Sequence, residues 1–265
     1  MVPALAVAQF APGPDRDSNL ATMRGLAAIA ADRGATLVVF PEYSSYFTPT
    51  MGPDWMLAAE PVDGPFALGL AAIAADLQLT VVAGMLESVG EKAGNTVIAI
   101  APDGALLASY RKLHLYDAFG SKESDWIVPG ELRKPQTFAW GGFTVGLQTC
   151  YDVRFPEVTR TLVDAGADLV LIPAEWVRGP LKEFHWRTLL TARAIENTIY
   201  IAAADHAPPI GAGNSMVLDP MGVELATIGE ATDVAIAWPD PLRIDSVRQT
   251  NPALRLRRFG TTPTL

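Results

Sequence analysis

Gly142-Phe143-Thr144-Val145-Gly146-Leu147-Gln148-Thr149-Cys150-Tyr151-Asp152-Val153-Arg154-Phe155-Pro156-Glu157 is the stretch on which the fold turns. Phe143, Val145 and Leu147 alternate with smaller or polar neighbours, which is the period of a strand. The alternation stops at Cys150. Pro156 and Glu157 then suit the first turn of a helix that residues 158–165 carry on. A cysteine on such a corner stands near the positive end of a helix dipole, where its thiol is expected to ionise more readily. The same residues also fit a plainer alternative, a small apolar side chain packed at a strand end. Cys150 is the only cysteine of 265 residues, so no intrachain disulfide can form and a reducing, cytoplasmic setting is expected.

Outward from this corner, strand-like and helix-like runs alternate. Strands are expected at residues 5–9, 36–40, 80–86, 96–101 and 106–110, the last two joined by the turn Pro102-Asp103-Gly104. Asp17-Ser18-Asn19 reads as the cap of a helix running to about Asp32, and residues 65–76 as an alanine-rich helix. After the corner come a strand at 168–173, a helix at 184–197, a strand at 200–204, a hairpin at 215–227 and a last strand at 234–238. Residues 113–133 have no period; a loop of that length in a compact domain usually lines or covers a site. The pattern predicts one α/β domain over residues 1–265. Its tail, from about residue 240, carries Arg255, Arg257 and Arg258 and reads as a surface or interface segment.

Composition narrows the function classes. The chain carries 20 Lys and Arg against 29 Asp and Glu, a net charge of −9, which disfavours nucleic-acid or anionic-membrane partners. No apolar run is long enough to cross a bilayer, and residues 1–10 read as a first strand rather than a signal peptide. His114, His185 and His206 suggest neither a catalytic dyad nor a metal site, and no dinucleotide or phosphate-loop glycine pattern occurs, so no cofactor is expected.

Three strands end in residues able to do chemistry. Glu42 follows the apolar strand ending at Phe40, Lys112 follows the strand ending at Tyr110, and Cys150 ends the third. Taken singly, Glu42 and Lys112 are ordinary surface charges; at the carboxyl ends of strands, where open sheets bind ligands, the three together point to a site.

These segments resemble the nitrilase, or carbon-nitrogen hydrolase, superfamily. Phe40-Pro41-Glu42, Tyr110-Arg111-Lys112-Leu113-His114-Leu115 and Cys150-Tyr151-Asp152-Val153-Arg154-Phe155-Pro156-Glu157 are similar to its three catalytic motifs, in order, and residues 186–197 and 215–222 to later structural ones. The resemblance implies a four-layer α-β-β-α sandwich, usually a homodimer, with a Glu-Lys-Cys triad. In that triad Glu42 is the general base, Cys150 the nucleophile, and Lys112 with the Tyr151 N–H the oxyanion donors. Glu123, in the long loop, matches a second glutamate that positions the amide. Tyr151-Asp152 after the cysteine is similar to the ω-amidase and deaminated-glutathione amidase branch. The resemblance therefore implies cleavage of a small carboxamide to acid and ammonia through a thioester. The alternatives are a nitrilase, an N-carbamoyl amidohydrolase, or a non-catalytic binding protein on the same fold.

Relatives in that branch take amides with a free carboxylate, which calls for a cation in the pocket. Arg178 is the candidate and Lys182 the alternate, with Trp176 and Tyr151 as further substrate contacts. Arg154 is expected to be structural, paired with a carboxylate behind the nucleophile. Glu175 departs from the resemblance, since that position is commonly small and apolar, and is expected to alter the charge of the pocket.

Overall fold

The computed structural model describes residues 2–263. The chain opens with β1 (Leu5–Gln9), α1 (Arg16–Asp32), β2 (Leu37–Val39), α2 (Pro53–Ala58), α3 (Pro65–Leu77), β3 (Thr80–Val89), β4 (Lys92–Ile100), β5 (Leu106–Arg111) and β6 (Ile127–Val128). It continues through β7 (Thr137–Trp140), β8 (Phe143–Leu147), α4 (Pro156–Asp164), β9 (Leu169–Ala174), α5 (Lys182–Asn197) and β10 (Tyr200–Asp205). It closes with β11 (Met216–Leu218), β12 (Glu224–Thr227), β13 (Asp233–Ala237) and α6 (Pro241–Thr250).

These strands form two sheets. One runs β13-β1-β2-β3-β4-β5, with β6 beside β4, and the other β12-β11-β10-β9-β8-β7. β1, β2 and β3 are parallel, as are β8, β9 and β10, and these central strands are apolar on both faces because each sheet is covered twice. Val7, Val39, Val82 and Val97 from the first sheet meet Val145, Leu147, Leu171 and Ala202 from the second between the layers. Met23, Leu26, Leu70 and Ile73 pack α1 and α3 on the outer face of the first sheet. Leu162, Trp186 and Leu190 pack α4 and α5 on the outer face of the second. This is the expected α-β-β-α sandwich.

Several local expectations shift. α1 is capped by Asp15, whose carboxylate accepts from the Ser18 N–H, so the helix starts before Asp17. β7 went unread because its four residues end at Gly141-Gly142, whose φ values of 55° and 88° turn the chain straight back into β8. The tail holds α6, capped by Asp240, and Ile244 and Val247 bury its inner side. The long loop carries a short 3-10 turn at Glu123–Asp125 and the strand β6.

Candidate active site

β2 and β3 run parallel and β5 runs the same way through two antiparallel pairings with β4, as β8 and β9 run parallel in the other sheet. Glu42, Lys112, Cys150 and Glu175 follow the carboxyl ends of β2, β5, β8 and β9. The Lys112 ammonium, almost fully buried, lies 3.0 Å from Glu42 Oε1 and 2.9 Å from Glu123 Oε2. Burial pulls its pKa down, but the Glu123 and Glu42 carboxylates more than offset this and hold it well above the ordinary lysine value. Burial pushes the Glu123 carboxyl up, but Lys112 together with the hydrogen bonds from Tyr43, Asn95 and the Tyr116 N–H outweighs it, leaving a net shift downward.

Sequence reasoning missed the residues that orient these charges. Asn95, on β4, donates from Nδ2 to Glu42 Oε1 at 2.6 Å and to Glu123 Oε1 at 2.9 Å. The Tyr43 hydroxyl donates to Glu123 Oε1 at 2.6 Å, and the Tyr116 N–H to Glu123 Oε2. Tyr43 directly follows Glu42 and was the one available hint; an asparagine inside a strand gives none. His206 Nε2 donates to the Glu42 carbonyl oxygen at 2.6 Å, and burial takes its pKa down to about 4, so the ring stays neutral. Gly84 lets β3 approach Glu42 closely: a Cβ there would lie 2.6 Å from the Glu42 Cα.

The Cys150 corner is tighter than expected. A 3-10 turn spans Cys150–Arg154 before α4 begins, and Cys150 itself has φ 42°, a strained left-handed value for a side-chain-bearing residue. Asp152 holds the corner to the Lys112 segment, accepting from the Tyr110 hydroxyl at 2.7 Å and from the His114 and Thr149 N–H groups. The thiol does not ionise more easily here. Burial, with the Glu42 carboxylate beside it, pushes its pKa well above the ordinary thiol value despite Lys112. A base is therefore required; the thiol donates to the Glu175 carbonyl oxygen at 3.4 Å, and the Glu42 carboxylate also lies beside it.

Glu42, Lys112, Glu123, Cys150 and Glu175 line one cavity of about 820 Å³, together with Tyr116, Phe119 and Lys182. Three expected contacts sit differently. Arg178 is at the rim, and its guanidinium is taken by Glu230 at 2.7 Å and approached by Glu183 at 3.7 Å. Lys182 points inward instead: Nζ is 3.1 Å from the Tyr116 hydroxyl and about 5 Å from the Tyr116, Phe119 and Trp176 ring centroids, and no carboxylate pairs with it among the described residues. Burial lowers its pKa. Trp176 and Tyr151 stand behind the cavity wall, Trp176 packed on Trp186 at 5.2 Å with its indole N–H on the Lys182 carbonyl. Arg154 has no carboxylate partner among the described residues. Its guanidinium lies over Trp176 at 4.7 Å and near Phe119 and Tyr151, and its Nε and Nη2 are buried without a hydrogen-bond partner among the described residues. The apolar lining around Arg154, rather than an acid, is what the sequence concealed.

A carbon-nitrogen hydrolase family model matches residues 4–249. The chain belongs to that family. A hydrolase of Mycobacterium tuberculosis is 37% identical over 95% of this chain and 94% of its own. The deaminated glutathione amidase of Escherichia coli O157:H7 is 36% identical over 97% of both. Among solved structures, an amidase from Nesterenkonia sp. superposes with a TM-score of 0.81 at 30% identity, covering 96% of this chain and 97% of its own. Further structures of that amidase include a cysteine mutant in complex with butyramide and a glutamate mutant whose active-site cysteine has added acrylamide. The chain is thus a carbon-nitrogen hydrolase of the amidase-containing nitrilase superfamily. Among the described residues, no helix is long and apolar enough to cross a membrane.

Proposed function

We propose that the protein is an amidase that hydrolyses a small carboxylate-bearing carboxamide through a Cys150 thioester. The observation that carries this reading is the buried Lys112 ammonium held between Glu42 and Glu123 beside a thiol that needs a base. Glu42 takes the Sγ proton as sulfur attacks the amide carbon. The carbonyl oxygen becomes an oxyanion, met by Lys112 and the Tyr151 N–H. Collapse expels the nitrogen, which leaves as ammonia with the proton returned by Glu42, and Sγ keeps the acyl group as a thioester. Glu42 then deprotonates a water that attacks the thioester carbon, releasing the acid and restoring the thiol. Glu123, fixed by Tyr43, Asn95 and Lys112, holds the amide nitrogen end.

Lys182 and Arg154 support the carboxylate-bearing class, since two cations without carboxylate partners near one cavity favour an anionic ligand. The deaminated glutathione in the names of several relatives is itself an amide with free carboxylates. The test is ammonia release from succinamic acid, butyramide, a nitrile and an N-carbamoyl amino acid. Expected is Cys150-dependent release with the succinamic acid leading. Lys182→Met should raise its KM about tenfold with little change for butyramide. A nitrile or carbamoyl compound in the lead would overturn the substrate class, and an inert wild type the enzyme reading.

A further inference from the structure

One ionisable side chain of the cavity has no part in the chemistry above. Glu175, at the end of β9, meets the catalytic pair through its backbone: its N–H donates to Glu42 Oε2 at 2.6 Å and its carbonyl oxygen accepts from the Cys150 thiol. Glu175 lines the cavity, and its Oε1 is enclosed without a hydrogen-bond partner among the described residues. A buried polar oxygen left unpaired at a cavity wall is costly unless a ligand completes it.

The surroundings decide which form the carboxyl takes. Glu42, Glu123 and Asp205 face it with like charge, and Lys112 and Lys182 with opposite charge. The Cys150 thiol and the Tyr43 and Tyr116 hydroxyls complete the set of titratable neighbours. Neither ammonium forms an ion pair with Glu175: Lys112 is engaged by Glu42 and Glu123, and Lys182 lies among aromatic rings. Burial first, and then Glu42, push the Glu175 carboxyl well above the usual carboxylate range. A neutral acid offers an O–H, a donor that a carboxylate lacks.

We infer that Glu175 is a specificity residue whose unpaired carboxyl at the cavity wall donates a hydrogen bond to an accepting oxygen, keto or carboxylate, in the acyl part of the bound amide. This rests on the reading that an amide occupies the cavity. It excludes the opposite role, an ionised Glu175 that recruits an amine. The pocket then discriminates by a donor beside Cys150 as well as by Lys182 and Arg154.

Neutral probes separate this donor from Lys182 and Arg154. Pentanamide and its 3-oxo and 4-oxo derivatives differ only in an accepting oxygen. Binding is read as protection of Cys150 from iodoacetamide, which needs no turnover, and hydrolysis as ammonia release. In the wild type at least one keto amide should protect about tenfold better than pentanamide. Glu175→Ala should bring that ratio near one, and Glu175→Gln, which keeps a neutral donor, should restore part of it. The wild-type preference should fall as pH rises through the raised Glu175 pKa, and the Gln variant should lack that fall. Failure to hydrolyse any amide while the protection ratios behave as stated would sink the amidase reading alone. A wild-type ratio near one, or a ratio unchanged in Glu175→Ala, overturns the role of Glu175.

Discussion

Asn95→Leu probes the support of the charge cluster without touching a reacting atom. The amide nitrogen donates to Glu42 at 2.6 Å and to Glu123 at 2.9 Å, while its Oδ1 has no partner among the described residues, so the substitution removes two donations and little else. A hydrogen bond to a charged group contributes about 1.5–3 kcal/mol. Lys112 still neutralises both carboxylates, which places the pair at the low end, about 3 kcal/mol in total. For a chain of this size that lowers Tm by roughly 6–12 °C, readable by calorimetry. Glu42 Oε1 is then left with Lys112 alone, so the base is less well aimed. The expected kinetic outcome is a fall in kcat/KM of about ten- to a hundredfold. An Asn95→Leu enzyme with wild-type Tm and kcat/KM would refute the reasoning that this amide organises the two glutamates.

Other consequences are open to measurement. His206 is buried neutral with a pKa near 4 against 6.5 when free, so it stabilises the fold fully above pH 6.5 and loses up to about 3 kcal/mol between 6.5 and 4. Denaturant midpoints across that window should fall less steeply in His206→Gln. Gly84→Ala forces a Cβ to 2.6 Å from the Glu42 backbone, and should cut turnover by at least tenfold as Glu42 is displaced, while Gly25→Ala, open on all sides, should not. Arg178→Ala breaks half-exposed ion pairs worth under about 1 kcal/mol and should leave KM for succinamic acid within twofold, which a titration of initial rates checks.

The strand-to-helix corner at Cys150 and the apolar strands of the sandwich were legible because their periods and punctuation are local. So were Glu42, Lys112 and Glu123, each carried by its own motif. What could not be read is what depends on distant approach. Asn95 is a polar residue inside β4 whose partners lie 53 and 28 positions away. The rise in the Cys150 pKa comes from burial and from Glu42, which outweigh the turn that the sequence advertises. Arg178 stands as the pocket cation in the sequence because it follows the apolar strand β9. Yet Glu230, 52 positions on, takes its charge, while Lys182, at the start of α5, turns inward. Arg154 was expected beside an acid and instead rests among aromatic rings drawn from three separate segments.

The central claim is covalent catalysis at Cys150, and intact-mass spectrometry of enzyme quenched in acid during turnover of succinamic acid tests it most directly, with ammonia followed in parallel. The account predicts a mass gain equal to the acyl group on the peptide that contains Cys150, with both the adduct and ammonia release absent in Cys150→Ala. Ammonia released by Cys150→Ala at the wild-type rate would contradict it.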